Sequence, residues 1–256
     1  MDIEASLNYC NANGIDAAEA YRYHSFVYDK TKKELLQMSH DMQSLVKNNQ
    51  DFFLALINNE GFIKTFNHFE IFQMAAFCGY DQVVSILVKN YQIDPSFEDN
   101  WAIRFASALG HSKVVSVLLL DSRVDPGTSD NLPIIMASCN GHVDVVKLLL
   151  LDSRVHPSAQ DDSPIIMAAE NGHFAVVKAL LKHSRVNPAS QDNRAIRNAS
   201  KNGFHDIVNL LLKDPRVDAA ADENYAIKWA CEEGHIQVVN TLAAHLGLDS
   251  KDPESW

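Results

Sequence analysis

Apolar positions along this chain recur on two scales. On the short scale a large apolar residue is followed three positions later by alanine: Phe72 and Ala75, Ile103 and Ala106, Ile134 and Ala137, Ile165 and Ala168, Ile196 and Ala199, Ile227 and Ala230. That spacing puts both on one helix face, and a large side chain beside a small one lets a neighbouring helix approach closely. Further on, a second pattern takes over, Val-Val-x-x-Leu or a close variant. It stands at Val114-Val115 with Leu118, Val145-Val146 with Leu149, Val176-Val177 with Leu180, Ile207-Val208 with Leu211, and Val238-Val239 with Leu242. Apolar residues at i, i+1 and i+4 suit a helix buried between two neighbours. Between the two patterns stands a glycine, at 79, 110, 141, 172, 203 and 234. A left-handed backbone there ends the first helix without a Cβ penalty.

The glycines are 31 residues apart, and a fixed period of this size marks a stacked-repeat solenoid. Full units are expected over 69–99, 100–130, 131–161, 162–192, 193–223 and 224–254. Helices this short do not persist singly in water, so each unit needs the face of its neighbour. After the second helix comes Asp-Ser-Arg-Val-Asp-Pro or a variant, in which Pro95, Pro126, Pro157 and Pro188 stop the helix. The remainder of the unit is expected to be a loop. Most units open on a pair such as Asp99-Asn100, Asp130-Asn131, Asp161-Asp162 or Asp192-Asn193, which predicts helix N-caps. Residues 37–68 are expected to form a degenerate capping repeat, because Phe52-Phe53 and Leu56 fall one period before Val83-Val84 and Leu87. Residues 1–36 leave the period. Ile3, Leu7 and Cys10, then Ala18, Tyr21 and Val27, predict two helices of an N-terminal extension.

Charge and cysteine usage narrow the function class. With 22 Lys and Arg against 33 Asp and Glu the net charge is −11, so phosphate backbones and anionic lipid are repelled and nucleic acid is not an expected partner. Cys10, Cys78, Cys139 and Cys231 form no close-set pair, which argues against a disulfide framework or zinc knuckle and for a reduced, intracellular setting. Asp2 and Glu4 follow Met1 directly, with no basic and then apolar run, so no ordinary secretory leader is expected. No apolar stretch approaches the roughly 18 residues of a membrane span.

The columns resemble the ankyrin repeat. The family pattern T-P-L-H-x-A-A-x-x-G-H-x-x-V-V-x-L-L-L aligns with L-P-I-I-M-A-S-C-N-G-H-V-D-V-V-K-L-L-L from Leu132 to Leu150, and the match recurs from about residue 69 to 249. The resemblance implies an all-α solenoid of helix-turn-helix units that binds protein. The usual period is 33, and the shortfall lies after the second helix, where the family's G-A-D-V-N becomes R-V-D-P. A shorter, proline-bearing finger is therefore expected in place of a regular β-hairpin. This repeat style is similar to those of amoebae, giant viruses and amoeba-associated intracellular bacteria, where such proteins are often injected effectors acting in a host cytoplasm.

Candidate chemistry is sparse. His111, His142, His173 and His235 follow the repeat glycines, but successive copies should stand roughly 8–10 Å apart, too far for one zinc with ligands at about 2 Å. The family commonly carries histidine there, which implies a bond to backbone in the turn. The acid pairs Asp161-Asp162 and Glu232-Glu233 fall at a helix start and an exposed helix end. No nucleophile motif, phosphate loop or metal pair stands out, so neither enzymatic activity nor a cofactor is expected.

Positions that vary between copies are free of the stacking constraint. The resemblance places the second and fifth positions of each unit, and the two before the glycine, on the concave surface. This picks out Trp101, Leu132, Ile135 and Ile166 as an apolar patch, Arg194, Arg197, Lys201 and Lys228 as a basic strip beside it, and Arg104 and Tyr225 as further partner-binding positions. An aromatic and aliphatic centre with an arginine flank is the composition of a protein-binding hot spot. The expected partner is a protein segment with both an apolar and an acidic element. The fifth column also suits packing between repeats, which would make Ile135 and Ile166 core. Two other readings stand beside this one: a targeting or enzymatic role in residues 1–68 with the repeats as substrate receptor, and a self-associating structural protein.

Overall fold

The computed structural model describes residues 68–252 together with Leu54. The extension expected over 1–36 lies outside the described residues, as does the cap expected over 37–68 apart from Leu54 and His68. From His68 to Leu246 the chain folds into helix pairs. These are α1 (His68–Cys78) with α2 (Asp81–Asn90), α3 (Phe97–Ala108) with α4 (Ser112–Leu119), and α5 (Thr128–Cys139) with α6 (Val143–Leu150). They continue as α7 (Ala159–Glu170) with α8 (Phe174–Leu180), α9 (Ser190–Lys201) with α10 (His205–Leu211), and α11 (Ala221–Glu232) with α12 (Ile236–Leu246). First helices pack on first helices of the next pair and second helices on second helices, giving two stacked layers. Among the described residues there is no strand. The protein is an all-α repeat solenoid.

Both apolar patterns form its core. Ile103, Ile134, Ile165, Ile196 and Ile227 are fully buried, with the alanines three positions on and the Val-Val-x-x-Leu columns of the second helices. Val124, Val155, Val186 and Val217 of the fingers are buried as well. No helix among the described residues is long and apolar enough to cross a membrane.

The glycine and histidine columns work across units. Gly141 has φ +79, and a Cβ built on it would stand 2.6 Å from Nδ1 of His173 in the next pair. The His173 Nε2–H donates to the Cys139 carbonyl at 2.8 Å, and His111, His142 and His235 donate likewise to Phe77, Ala108 and Lys201 at 2.8, 3.0 and 3.0 Å. The backbone bond expected within the turn therefore reaches into the preceding pair instead, because the imidazole packs over that pair's glycine and meets carbonyls of the last helical turn, which the helix's own ladder does not use. In one unit Phe204 covers Gly172 in place of histidine. Burial pushes the His142 pKa below the usual imidazole range, against the opposing effect of its bond to Ala108.

The second residues of the pairs expected as N-caps, Asn100, Asn131, Asp162 and Asn193, direct their side-chain oxygens to the following finger. Each belongs to a left-handed turn at the start of its helix: 98–100, 129–131, 160–162, 191–193 and 222–224 all have φ between 49 and 64. One bond closes each turn, as from the Asn131 N–H to the Gly127 carbonyl at 2.9 Å. This conformation costs about 1–2 kcal/mol per residue and is best tolerated by Asn and Asp. The third residue offsets part of that cost. Asn100, Asn131, Asp162 and Asn193 are buried, and each side-chain oxygen accepts a backbone N–H of the next finger: Asp125, His156, Asn187 and Asp218, at 2.7–2.8 Å. The right-handed part of each first helix begins one residue later, at Trp101, Leu132, Ser163, Arg194 or Tyr225.

Candidate functional site

The first helices carry the residues that the column pattern singles out, and the structure sorts them into two groups. Trp101 and Arg104 on α3, Ile135 on α5 and Ile166 on α7 are 1, 8, 2 and 3% exposed. They are not the exposed partner-binding positions expected from the sequence. Trp101 stacks on Phe105 with ring centroids 4.5 Å apart. The Arg104 Nη2–H donates to the Glu98 carbonyl at 3.1 Å, holding the left-handed turn ahead of its own helix. Ile135 and Ile166 are core, which resolves the alternative left open for their column. Leu132 is half-buried and has lost the apolar neighbours with which it was grouped.

The second group lies on α9 and α11 and comes together. The Arg197 guanidinium sits over the Tyr225 ring at 4.9 Å, and the Lys201 ammonium over the Trp229 ring at 4.2 Å. The two rings are 5.5 Å apart. Residues 197 and 201 are one helical turn apart, as are 225 and 229, so adjacent helices offer two cation-over-ring pairs in register. Arg197 also forms an ion pair with Asp222, and its Nη2–H donates to the Gln191 carbonyl at 3.3 Å. Arg194 is directed by its bond to Gln191 Oε1 at 2.8 Å. Lys228 is exposed on the same helix as both rings.

Neighbouring polar contacts hold α9 in place without covering the strip. Asn198 Nδ2–H donates to Glu170 Oε2 at 2.6 Å, and Asn202 Nδ2–H to the Glu170 carbonyl at 2.8 Å. The result is a surface with basic groups fixed on ring faces and the exposed Lys228 beside them.

Trp229 escaped the sequence reasoning. Its column holds Phe105, Met136, Met167 and Asn198, which reads as buried apolar packing. The available signal was the combination of Trp229 with Tyr225 one turn earlier, opposite Arg197 and Lys201 one period before.

The family model for ankyrin repeats (3 copies) matches the chain over residues 101–192, 134–221 and 165–254. No curated protein gives a significant match.

Proposed function

Because the chain belongs to the ankyrin-repeat family, we propose that it is a protein-binding scaffold without catalysis of its own, and that the partner docks on the α9–α11 surface. The observation that carries this reading is the pair of cation-over-ring contacts, Arg197 on Tyr225 and Lys201 on Trp229. Side chains already held in one arrangement lose little freedom on binding, and aromatic and arginine residues dominate interface energies. The chemistry calls for a partner segment with carboxylates to meet the cations and an apolar or aromatic side chain to meet the rings.

Net charge adds selectivity. At −11 overall the chain repels an acidic segment over most of its surface, so the basic strip is a local exception that would orient the approach. The exposed thiol of Cys231 fits a reducing, intracellular compartment. The Asp-x-Arg-Val-Asp-Pro finger supports a narrower form of the reading, in which the chain is an effector and the bound protein belongs to a host cell.

The double variant Lys201→Ala with Lys228→Ala is expected to weaken the partner's affinity at least tenfold, about 1.4 kcal/mol. Its thermal midpoint should fall only slightly, since Lys228 is exposed and the half-buried Lys201 gives up one cation-over-ring contact, worth about 0.5–1 kcal/mol. Direct titration of the co-purified partner against both proteins checks this. Unchanged affinity would remove the strip from the interface.

A further inference from the structure

Three of the fingers repeat one ion pair, and in one other the arginine stands without it. Asp121 and Arg123, Asp152 and Arg154, and Asp214 and Arg216 each form a two-pronged bond, in which the arginine Nε–H donates to Oδ1 at 2.9–3.0 Å and Nη2–H to Oδ2 at 2.7 Å. Each arginine also reaches back to the previous finger and donates to the carbonyl of Ile93, Val124 or Val186. Carboxylates in these pairs are held below the usual range, chiefly by the arginine hydrogen bond.

In the fourth finger the arginine is kept and its acid is not. Arg185 donates from Nη2–H to the Val155 carbonyl at 2.9 Å, the same backward anchor. The aspartate column, however, holds His183, whose Nδ1 accepts the Arg185 backbone N–H at 3.3 Å. Arg185 Nη1 lies 3.3 Å from His156 Nδ1, and its Nε–H has no partner among the described residues. The side chain is exposed, as is that of Lys182.

We infer that Arg185 is an oxyanion site, which takes a carboxylate or phosphate group where its three sister arginines hold an aspartate. The guanidinium fork matches a two-oxygen anionic edge, and the carbonyl anchor removes part of the freedom that an exposed arginine would lose on binding. His183 and His156 line the approach with groups that bear no negative charge, and Lys182 adds a cation. The site stands on its own residues and is independent of the α9–α11 surface.

The test follows the arginine Nε–H resonances of the full chain at pH 7.5 and constant ionic strength, with Arg185→Lys identifying the relevant signal. One arm adds inorganic phosphate and the other a blocked triglutamate peptide, and the arm with the tighter response identifies the source of the anion. The Arg185 signal is expected to shift and saturate, while those of Arg123, Arg154 and Arg216 stay fixed. His183→Asp restores the sister arrangement and should weaken the response at least tenfold, and Asp214→His should open a second responding site at Arg216. Equal drift of all the arginine signals, no shift with either probe, or an undiminished response in His183→Asp would overturn the assignment.

Discussion

Gly141→Ala is expected to destabilise the array by about 3 kcal/mol, through a left-handed alanine costing about 1–2 kcal/mol and a disturbed buried contact costing about 1–3 kcal/mol. The position has φ +79, and the new Cβ would press on His173 at 2.6 Å from Nδ1. The ring must then swing away, and its bond to the Cys139 carbonyl goes with it. Gly234→Ala separates the two contributions. Its φ is +75, but nothing lies within 4 Å of the added carbon, so only the conformational cost of about 1–2 kcal/mol applies. Urea unfolding of both variants measures the difference. Equal losses would show that the histidine column adds nothing to stacking.

Trp101→Ala should cost about 3–5 kcal/mol, the range for removing a fully buried large aromatic side chain. The indole is 1% exposed and stacked on Phe105 at 4.5 Å, so truncation leaves a cavity in the third helix. Trp101→Phe keeps a ring on Phe105 and leaves a smaller cavity, so it should cost less than Trp101→Ala. It also removes an indole N–H that is buried without a hydrogen bond among the described residues. A thermal midpoint for Trp101→Ala equal to that of the parent would contradict the burial. The expected loss disqualifies this variant as a probe of binding, because weaker capture by an unfolded chain says nothing about the surface.

Trp101 also shows where the sequence stops being informative. Its column varies, and variation by itself suggests freedom from packing. A position can vary and still be buried, since Trp101, Ser163 and the half-buried Arg194 occupy the same place on successive helices. The core columns were legible because their constraint is local. Ile134 and Ala137 share a helix face whatever the neighbours are, and both are fully buried. Relations between units were not legible. His173 meets a carbonyl 34 residues away, Arg154 one 30 residues away, and Asn131 an N–H 25 residues on. Within one unit these residues look like a turn histidine, a loop arginine and a helix cap.

The basic strip was legible in part, because Arg197, Lys201 and Tyr225 fall in columns that the family pattern exposes. Trp229 was hidden by the apolar company of its column. The shortened period has a physical counterpart that composition alone does not reveal. The left-handed turn at 129–131 opens α5, Asn131 ties it to the following finger, and Arg154 ties that finger to Val124 of the one before, with no strand among the described residues.

The most direct measurement of where a partner sits is site-specific photo-crosslinking from the full chain in cells. A photoreactive phenylalanine analogue replaces Tyr225 or Lys228 on α11, with exposed Lys178 on α8 as the position on the opposite layer. Adducts of one discrete mass are expected from 225 and 228, lost when Lys201→Ala is added, and none from 178. Adducts from 178 alone, or equally from all three positions, would contradict a partner seated on the α9–α11 surface.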